Sequence, residues 1–218
     1  MSIRIHLKIF LFILLFYITK QIEIYGFLML FAILHELGHL GMGVLLGLKP
    51  ETINIMPLGV SISFKTSPKD YNEKIKKGTN LALKKMLIAM AGPIMNFVIV
   101  LLFIIVPVHI KEITKLNIIY ANILIGTFNL LPIYPLDGGR ILKNLLHILY
   151  GLKNSNELIN KISNVSIIIL TAVSSITILY FENIAILLII IYLWGLVIKQ
   201  NKNYEVKKKV YDLIEKSV

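Results

Sequence analysis

His35-Glu36-Leu37-Gly38-His39 sets two imidazoles four residues apart with a carboxylate between them. A helix turns about 100° per residue, so His35 and His39 project from one face, one turn apart. That spacing lets two imidazoles grip one zinc ion, with Glu36 beside them to move a proton. The motif lies within an almost uncharged apolar run, Ile22 to Leu48. Two histidines and a carboxylate are costly in hydrocarbon unless something binds or pairs with them. The plain structural alternative is a pair of core histidines bonded to backbone carbonyls.

A zinc hydrolase needs three protein ligands and a position for water. The chain has no cysteine, so a metal site here uses nitrogen and oxygen. Of twelve acidic residues, only Glu36 and Asp137 lie within or at the inner margin of the apolar spans, whereas Glu23, Glu112 and Glu182 flank spans near the outer surface. Asp137 is therefore the expected third ligand; it also suits a helix cap, and the two roles can coexist. Its setting is Asn129-Leu130-Leu131-Pro132-Ile133-Tyr134-Pro135-Leu136-Asp137-Gly138-Gly139-Arg140. The two prolines stop one helix, and the next is expected to begin near Ile141. Broken backbone at membrane depth is tolerated where it lines a cavity or is buried in protein.

The elements that must position these groups follow from composition. Of 218 residues, 56% are apolar, and the mean hydropathy of +0.77 marks a polytopic membrane protein. The formal charge of +11 does not point to nucleic acid. There is no arginine-rich arm, and the lysines cluster beside hydrophobic spans, where anionic lipid is the expected partner. Candidate spans are Ile5–Thr19, Ile22–Leu48, Leu81–Ile110, Leu116–Leu131, Ser163–Tyr180 and Asn183–Ile198. Of the 23 lysines and arginines, only Lys20, Lys111 and Lys115 then fall on one side, which makes the other side cytosolic and puts both termini there. The first span has the basic start of a signal peptide, Arg4 and Lys8, but no small-residue cleavage site, and reads as a retained short span. Thr52–Met56 and Val60–Phe64 alternate apolar and polar residues around Pro57-Leu58-Gly59, the pattern of a β-hairpin. It could offer a sheet edge to an extended substrate or plug the mouth of the protein. The fold class expected is an all-α polytopic membrane protein of six transmembrane helices with a small membrane-associated β-hairpin. Lys199 to Val218 is polar, with Val206, Val210, Leu213 and Ile214 at helical spacing.

HELGH in an early span, Ala91-Gly92-Pro93-Ile94-Met95-Asn96-Phe97 in the third, and the Asn129–Gly139 segment together resemble the site-2 protease family of intramembrane zinc metalloproteases. The three motifs cover a core of about residues 22–150. The expected organisation is a six-span metalloprotease domain over 1–200 and a short cytosolic tail over 201–218. The six-span layout without a PDZ insertion is most similar to the subgroup that processes a membrane-associated sigma-factor precursor during sporulation. That subgroup commonly carries a C-terminal CBS domain, for which the residues up to Val218 have no counterpart.

The resemblance implies one Zn2+ per chain on His35, His39 and Asp137, with Glu36 as general base. It implies substrate contacts for Asn129, Pro135 and Asn96, although Asn129 also suits an interhelical contact and Gly92-Pro93 a packing kink. The expected partners are a membrane-tethered protein substrate, such as a sigma-factor precursor, together with anionic lipid and a membrane inhibitor protein. The expected place is the cell membrane, with a forespore membrane the specific case. The competing functions are a metal-ion transporter, which two intramembrane carboxylates and the lack of repeats disfavour, and an inactive scaffold that binds membrane segments.

Overall fold

The computed structural model describes residues 2–5, 8–18, 20, 22–56, 59–65, 79–106, 112–181 and 184–217. They belong to two compact units, Met1–Ile75 with Leu87–Asn129, and Lys76–Met86 with Leu130–Val218. The first unit holds β1 (Ser2–Ile5), α1 (Lys8–Ile18), α2 (Ile22–Leu45), β2 (Lys49–Met56), β3 (Gly59–Lys65), most of α3 (Thr79–Ile105), and α4 (Glu112–Asn129).

Helix α2 carries the HELGH motif and is apolar on nearly every side. Phe31, His35, His39 and Gly43 form its buried stripe at four-residue spacing. Phe27, Leu30, Ile33, Leu37 and Val44 are exposed on the remaining surface, as suits a helix facing lipid. The helix ends at Gly47, whose φ of +78° disfavours any side chain. Leu48 N–H bonds Gly43 O at 2.9 Å and Gly47 N–H bonds Val44 O at 2.9 Å, the double bond of a Schellman end. Small residues bring α3 close. A Cβ at Gly38 would lie 2.7 Å from Ala91 O and 3.0 Å from Met95 Cβ. Phe31 of α2, Ile99 of α3 and Ile118 of α4 then form the buried core of this unit.

The expected hairpin is present and longer than its alternating residues suggest. β2 and β3 are antiparallel, with Ile53 opposite Ile62, Met56 opposite Gly59, and an irregularity between Pro50 and Thr52. Pro57 and Leu58 of the expected turn lie outside the described residues. A third strand joins them. β1 runs parallel to β2, with Ser2 opposite Thr52 and Ile5 opposite Ile55, giving the order β1-β2-β3. β1 falls just ahead of and into the stretch expected to be the first span. The helix described within that span, α1, has 11 residues. At about 1.5 Å per residue it rises roughly 16 Å, about half a hydrocarbon core.

The second unit holds the turn 130–136, α5 (Asp137–Tyr150), α6 (Leu152–Phe181) and α7 (Ile184–Ser217). α5 begins at Asp137 rather than near Ile141, directly after the extended Leu136. Gly151, at φ +82°, separates α5 from α6. α6 therefore starts at Leu152, well before the Ser163 expected from hydropathy, and Ser155 Oγ donates to Lys143 O at 2.6 Å across the break. Ile159, Ile167, Leu193 and Val197 are fully buried on α6 and α7. Polar pairs hold the two helices as well: Trp194 Nε1 donates to Thr171 Oγ1 at 3.0 Å, Asn201 Nδ2 to Asn164 Oδ1 at 3.0 Å, and Asn156 Nδ2 to Tyr211 OH at 3.0 Å. In lipid such bonds replace much of the hydrophobic drive that water would supply. The last two of these pairs join α6 to the polar C-terminal stretch, where α7 continues to Ser217 through the residues expected as a short cytosolic tail with helical spacing. Among the described residues three segments are long and apolar enough to cross a membrane, Tyr25–Leu45, Asn80–Ile105 and Leu152–Thr177, against the six expected.

Candidate metal centre

His35 and His39 are buried on α2. Their ring tautomers can be read from a chain of hydrogen bonds that begins at a carbonyl, which only accepts. Ile118 O accepts from Asn122 Nδ2 at 2.9 Å, so Asn122 turns its Oδ1 the other way. Asn122 Oδ1 accepts from Asn96 Nδ2 at 2.8 Å, which orients Asn96 in turn. Asn96 Oδ1 then accepts from His35 Nδ1 at 2.5 Å. His35 is thus protonated on Nδ1, which in the neutral ring leaves the lone pair on Nε2. His39 reaches the same state more directly, donating Nδ1–H to Ile88 O at 2.6 Å.

The two Nε2 atoms face each other at 3.1 Å. Two imidazole lone pairs at that distance repel unless a positive centre lies between them. Two nitrogens about 2.0–2.1 Å from one tetrahedral zinc stand roughly 3.4 Å apart, so the pair fits one zinc ion with little adjustment. The Nδ1 partners supply the outer hydrogen bonds that metal-ligating histidines usually have. Gly92 makes room for this pair. A Cβ there would overlap His39 Cε1 and Nε2 and lie 2.5 Å from His35 Nε2, so α3 presents bare backbone to both rings. Glu36 is half-buried on the flank of the stripe, three residues before His39 and so its neighbour on the helix surface.

Asn96, expected to contact substrate, is fully buried, and its amide is bonded to His35 and Asn122. Asn122 carried no signal in the sequence. Gly92 and Asn96 did carry one: they sit four residues apart in Ala91–Phe97, at the spacing that puts both on one helix face. Asn129 ends α4 half-buried, its Nδ2 donating to Ile125 O at 3.0 Å, a bond within its own helix.

In the second unit, Asp137 is buried in the first turn of α5, where the helix dipole favours a carboxylate. Its Oδ1 lies 3.5 Å from Arg140 Nη1, one turn on. The turn before it is folded tightly against the helix start. A Cβ at Gly138 would overlap Leu130 O, and one at Gly139 would lie 2.5 Å from Tyr134 N and 2.6 Å from Ile133 C. Only glycines fit beside Asp137. Tyr134 N–H donates to Ser163 Oγ at 2.9 Å, and Ile133 is 1% exposed, so the turn is anchored at both a polar and an apolar point. Pro135 is half-buried in this turn, after a cis peptide bond.

A family model described as peptidase family M50 matches residues 24–117 and 110–173. A zinc metalloprotease of Methanocaldococcus jannaschii is 32% identical over 139 residues, which is 61% of this chain and 37% of that protein. A protein of Synechocystis sp. named as a zinc metalloprotease is 29% identical over 139 residues, 61% of this chain and 34% of that protein. The matched part is thus little more than a third of each relative's length. Among solved structures, the site-2 protease from Methanocaldococcus jannaschii superposes with a TM-score of 0.65 at 23% identity, covering 91% of this chain and 89% of that one, a likeness of fold.

Proposed function

Because this chain belongs to peptidase family M50, we propose that it is an intramembrane zinc endopeptidase, hydrolysing a peptide bond of a membrane-embedded or membrane-associated protein near the cytosolic leaflet. The observation that carries the proposal is the convergence of the two Nε2 atoms at 3.1 Å, with both Nδ1 positions occupied by protein acceptors. His35 and His39 hold one zinc ion, and Asp137 is the third ligand. Support for Asp137 is its burial and the two glycines that let the preceding turn close against the helix start it occupies. When bound, zinc supplies Lewis acidity toward water and the scissile carbonyl.

The chain's own groups do the rest. Asn96 and Ile88 O hold the imidazoles in the ligating tautomer. Glu36 accepts a proton from the attacking water and passes it to the leaving amine. A helical substrate hides its carbonyls in hydrogen bonds, so it must be extended before attack. The sheet supports that step: among the described residues β1 covers one side of β2, and β3 is the hairpin strand at an edge of the sheet. Asn129 and Pro135 remain proposed substrate contacts, from motif position. The six-span topology with cytosolic termini rests on the lysine and arginine asymmetry. Release of a sigma factor from its membrane-associated precursor is the finer reading, and it rests on the motif resemblance and the six-span layout.

The test is Glu36→Gln. This variant should bind zinc with wild-type stoichiometry and lose cleavage of co-expressed single-span reporter proteins that the wild type cuts. Undiminished cleavage by a zinc-loaded Glu36→Gln would remove Glu36 as the base.

A further inference from the structure

Lys143 sits on α5 with its ammonium 4.6 Å from the centre of the Tyr134 ring. It is half-buried, and among the described residues no carboxylate pairs with it. Its charged neighbours are instead of its own sign. Lys85, from the start of α3, and Lys207, on α7, both lie close enough to repel it. His147, one turn along α5, faces Lys85 and Lys143 as well. Arg140, one turn the other way, is engaged with Asp137. Burial first, then Lys207 and Lys85, push the Lys143 ammonium down to about 8. Three segments of the second unit thus bring cations together around a partly desolvated ammonium. A charge withdrawn from water needs a counter-charge, and among the described residues its charged neighbours are only more cations.

We propose that Lys143, Lys85 and Lys207, with His147 at the margin, form a phosphate site. Its ligand is a phosphate group, either the headgroup of an anionic phospholipid or free phosphate. A phosphate oxygen would accept from Lys143, whose ring contact with Tyr134 leaves ammonium protons for an acceptor. Lys85 and Lys207 are exposed, and would close on the ligand from their own helices. Tyr134 belongs to the turn that leads into Asp137, so an occupied site would steady that turn through the Lys143–Tyr134 contact. The site does not depend on the chain being a peptidase.

The test uses the full chain purified in neutral detergent. Native mass spectrometry should find one phosphatidylglycerol retained per chain in preference to phosphatidylcholine. Lys143→Gln and Lys207→Gln should each weaken that retention about tenfold or more, and Lys202→Gln, on the same helix as Lys207, should leave it unchanged. Lys207 is exposed, so its substitution leaves the fold intact; thermal unfolding checks that the Lys143 variant is folded. Retention of phosphatidylglycerol against millimolar inorganic phosphate identifies the lipid headgroup as ligand. Binding of inorganic phosphate to chains in phosphatidylcholine nanodiscs, seen by phosphorus NMR and lost in both variants, identifies free phosphate. No preference for phosphatidylglycerol together with no phosphate binding overturns the proposal, as does wild-type binding by Lys207→Gln or by folded Lys143→Gln.

Discussion

Gly92→Ala is the sharpest perturbation of the histidine pair, because it adds one methyl group and removes no ligand. The new Cβ would lie 2.5 Å from His35 Nε2 and overlap the His39 ring edge. An unstrained carbon–nitrogen contact is about 3.5 Å, so the rings must retreat by roughly 1 Å. Zinc ligands hold their distances to within about 0.2 Å, and the displacement is several times that. Losing an outer hydrogen bond alone weakens metal binding by about 10–100-fold; moving the donor atoms themselves should exceed that range. Overpacking should also lower stability by about 1–3 kcal/mol, which leaves a folded protein to measure. Gly41→Ala is the control, since a Cβ there meets nothing within 4 Å. The assay is competition for zinc against a chromophoric chelator. The expected result is a loss of about 100-fold or more for Gly92→Ala and no loss for Gly41→Ala. A folded Gly92→Ala that binds zinc like the wild type would refute the placement of the two rings against α3.

Other expectations follow from the same structure. Asn96→Ala should weaken zinc binding by about 10–100-fold, and nitrogen NMR of the metal-free variant should show His35 mixing tautomers while His39, held by Ile88 O, keeps one. Gly138→Ala should destabilise the second unit by about 1–3 kcal/mol, read as a lowered unfolding midpoint, because its Cβ would overlap Leu130 O. Lys143 is depressed to about 8 from 10.5, so between those values the unfolded chain binds more protons than the folded one. Stability in neutral, phosphate-free detergent should therefore rise with pH across that window, and Lys143→Met should remove that part of the slope. A reporter fused after Val218 should be active only in its cytosolic format; activity in the opposite format would overturn the charge-based topology.

The parts legible in the sequence are those written in local spacing. His35 and His39 sit at i, i+4 and stay on one buried stripe. Alternation at Thr52–Met56 and Val60–Phe64 marks β2 and β3. Hydropathy fails where packing overrides it. Ser2–Ile5 lies just ahead of and into the expected first span and is too short to signal a strand, yet it pairs with β2 across some fifty residues of chain. Helical spacing is visible in the polar residues 201–217, but their partners Asn156 and Asn164 lie on another helix and carry no local signal. Asn96 was visible as a motif residue, but its work depends on His35, 61 positions away, and on Asn122, whose orientation is fixed by Ile118 O. No local pattern encodes such a relay.

The central claim is that two imidazole Nε2 atoms and one carboxylate oxygen share a single zinc ion. X-ray absorption at the zinc edge of the purified chain measures it most directly. The expected spectrum has one zinc per chain, two histidine nitrogens at about 2.0–2.1 Å and oxygen in the remaining positions, with metal lost from His39→Ala and from Asp137→Ala. Full zinc occupancy with unchanged coordination in either variant, or a first shell without imidazole, would contradict it.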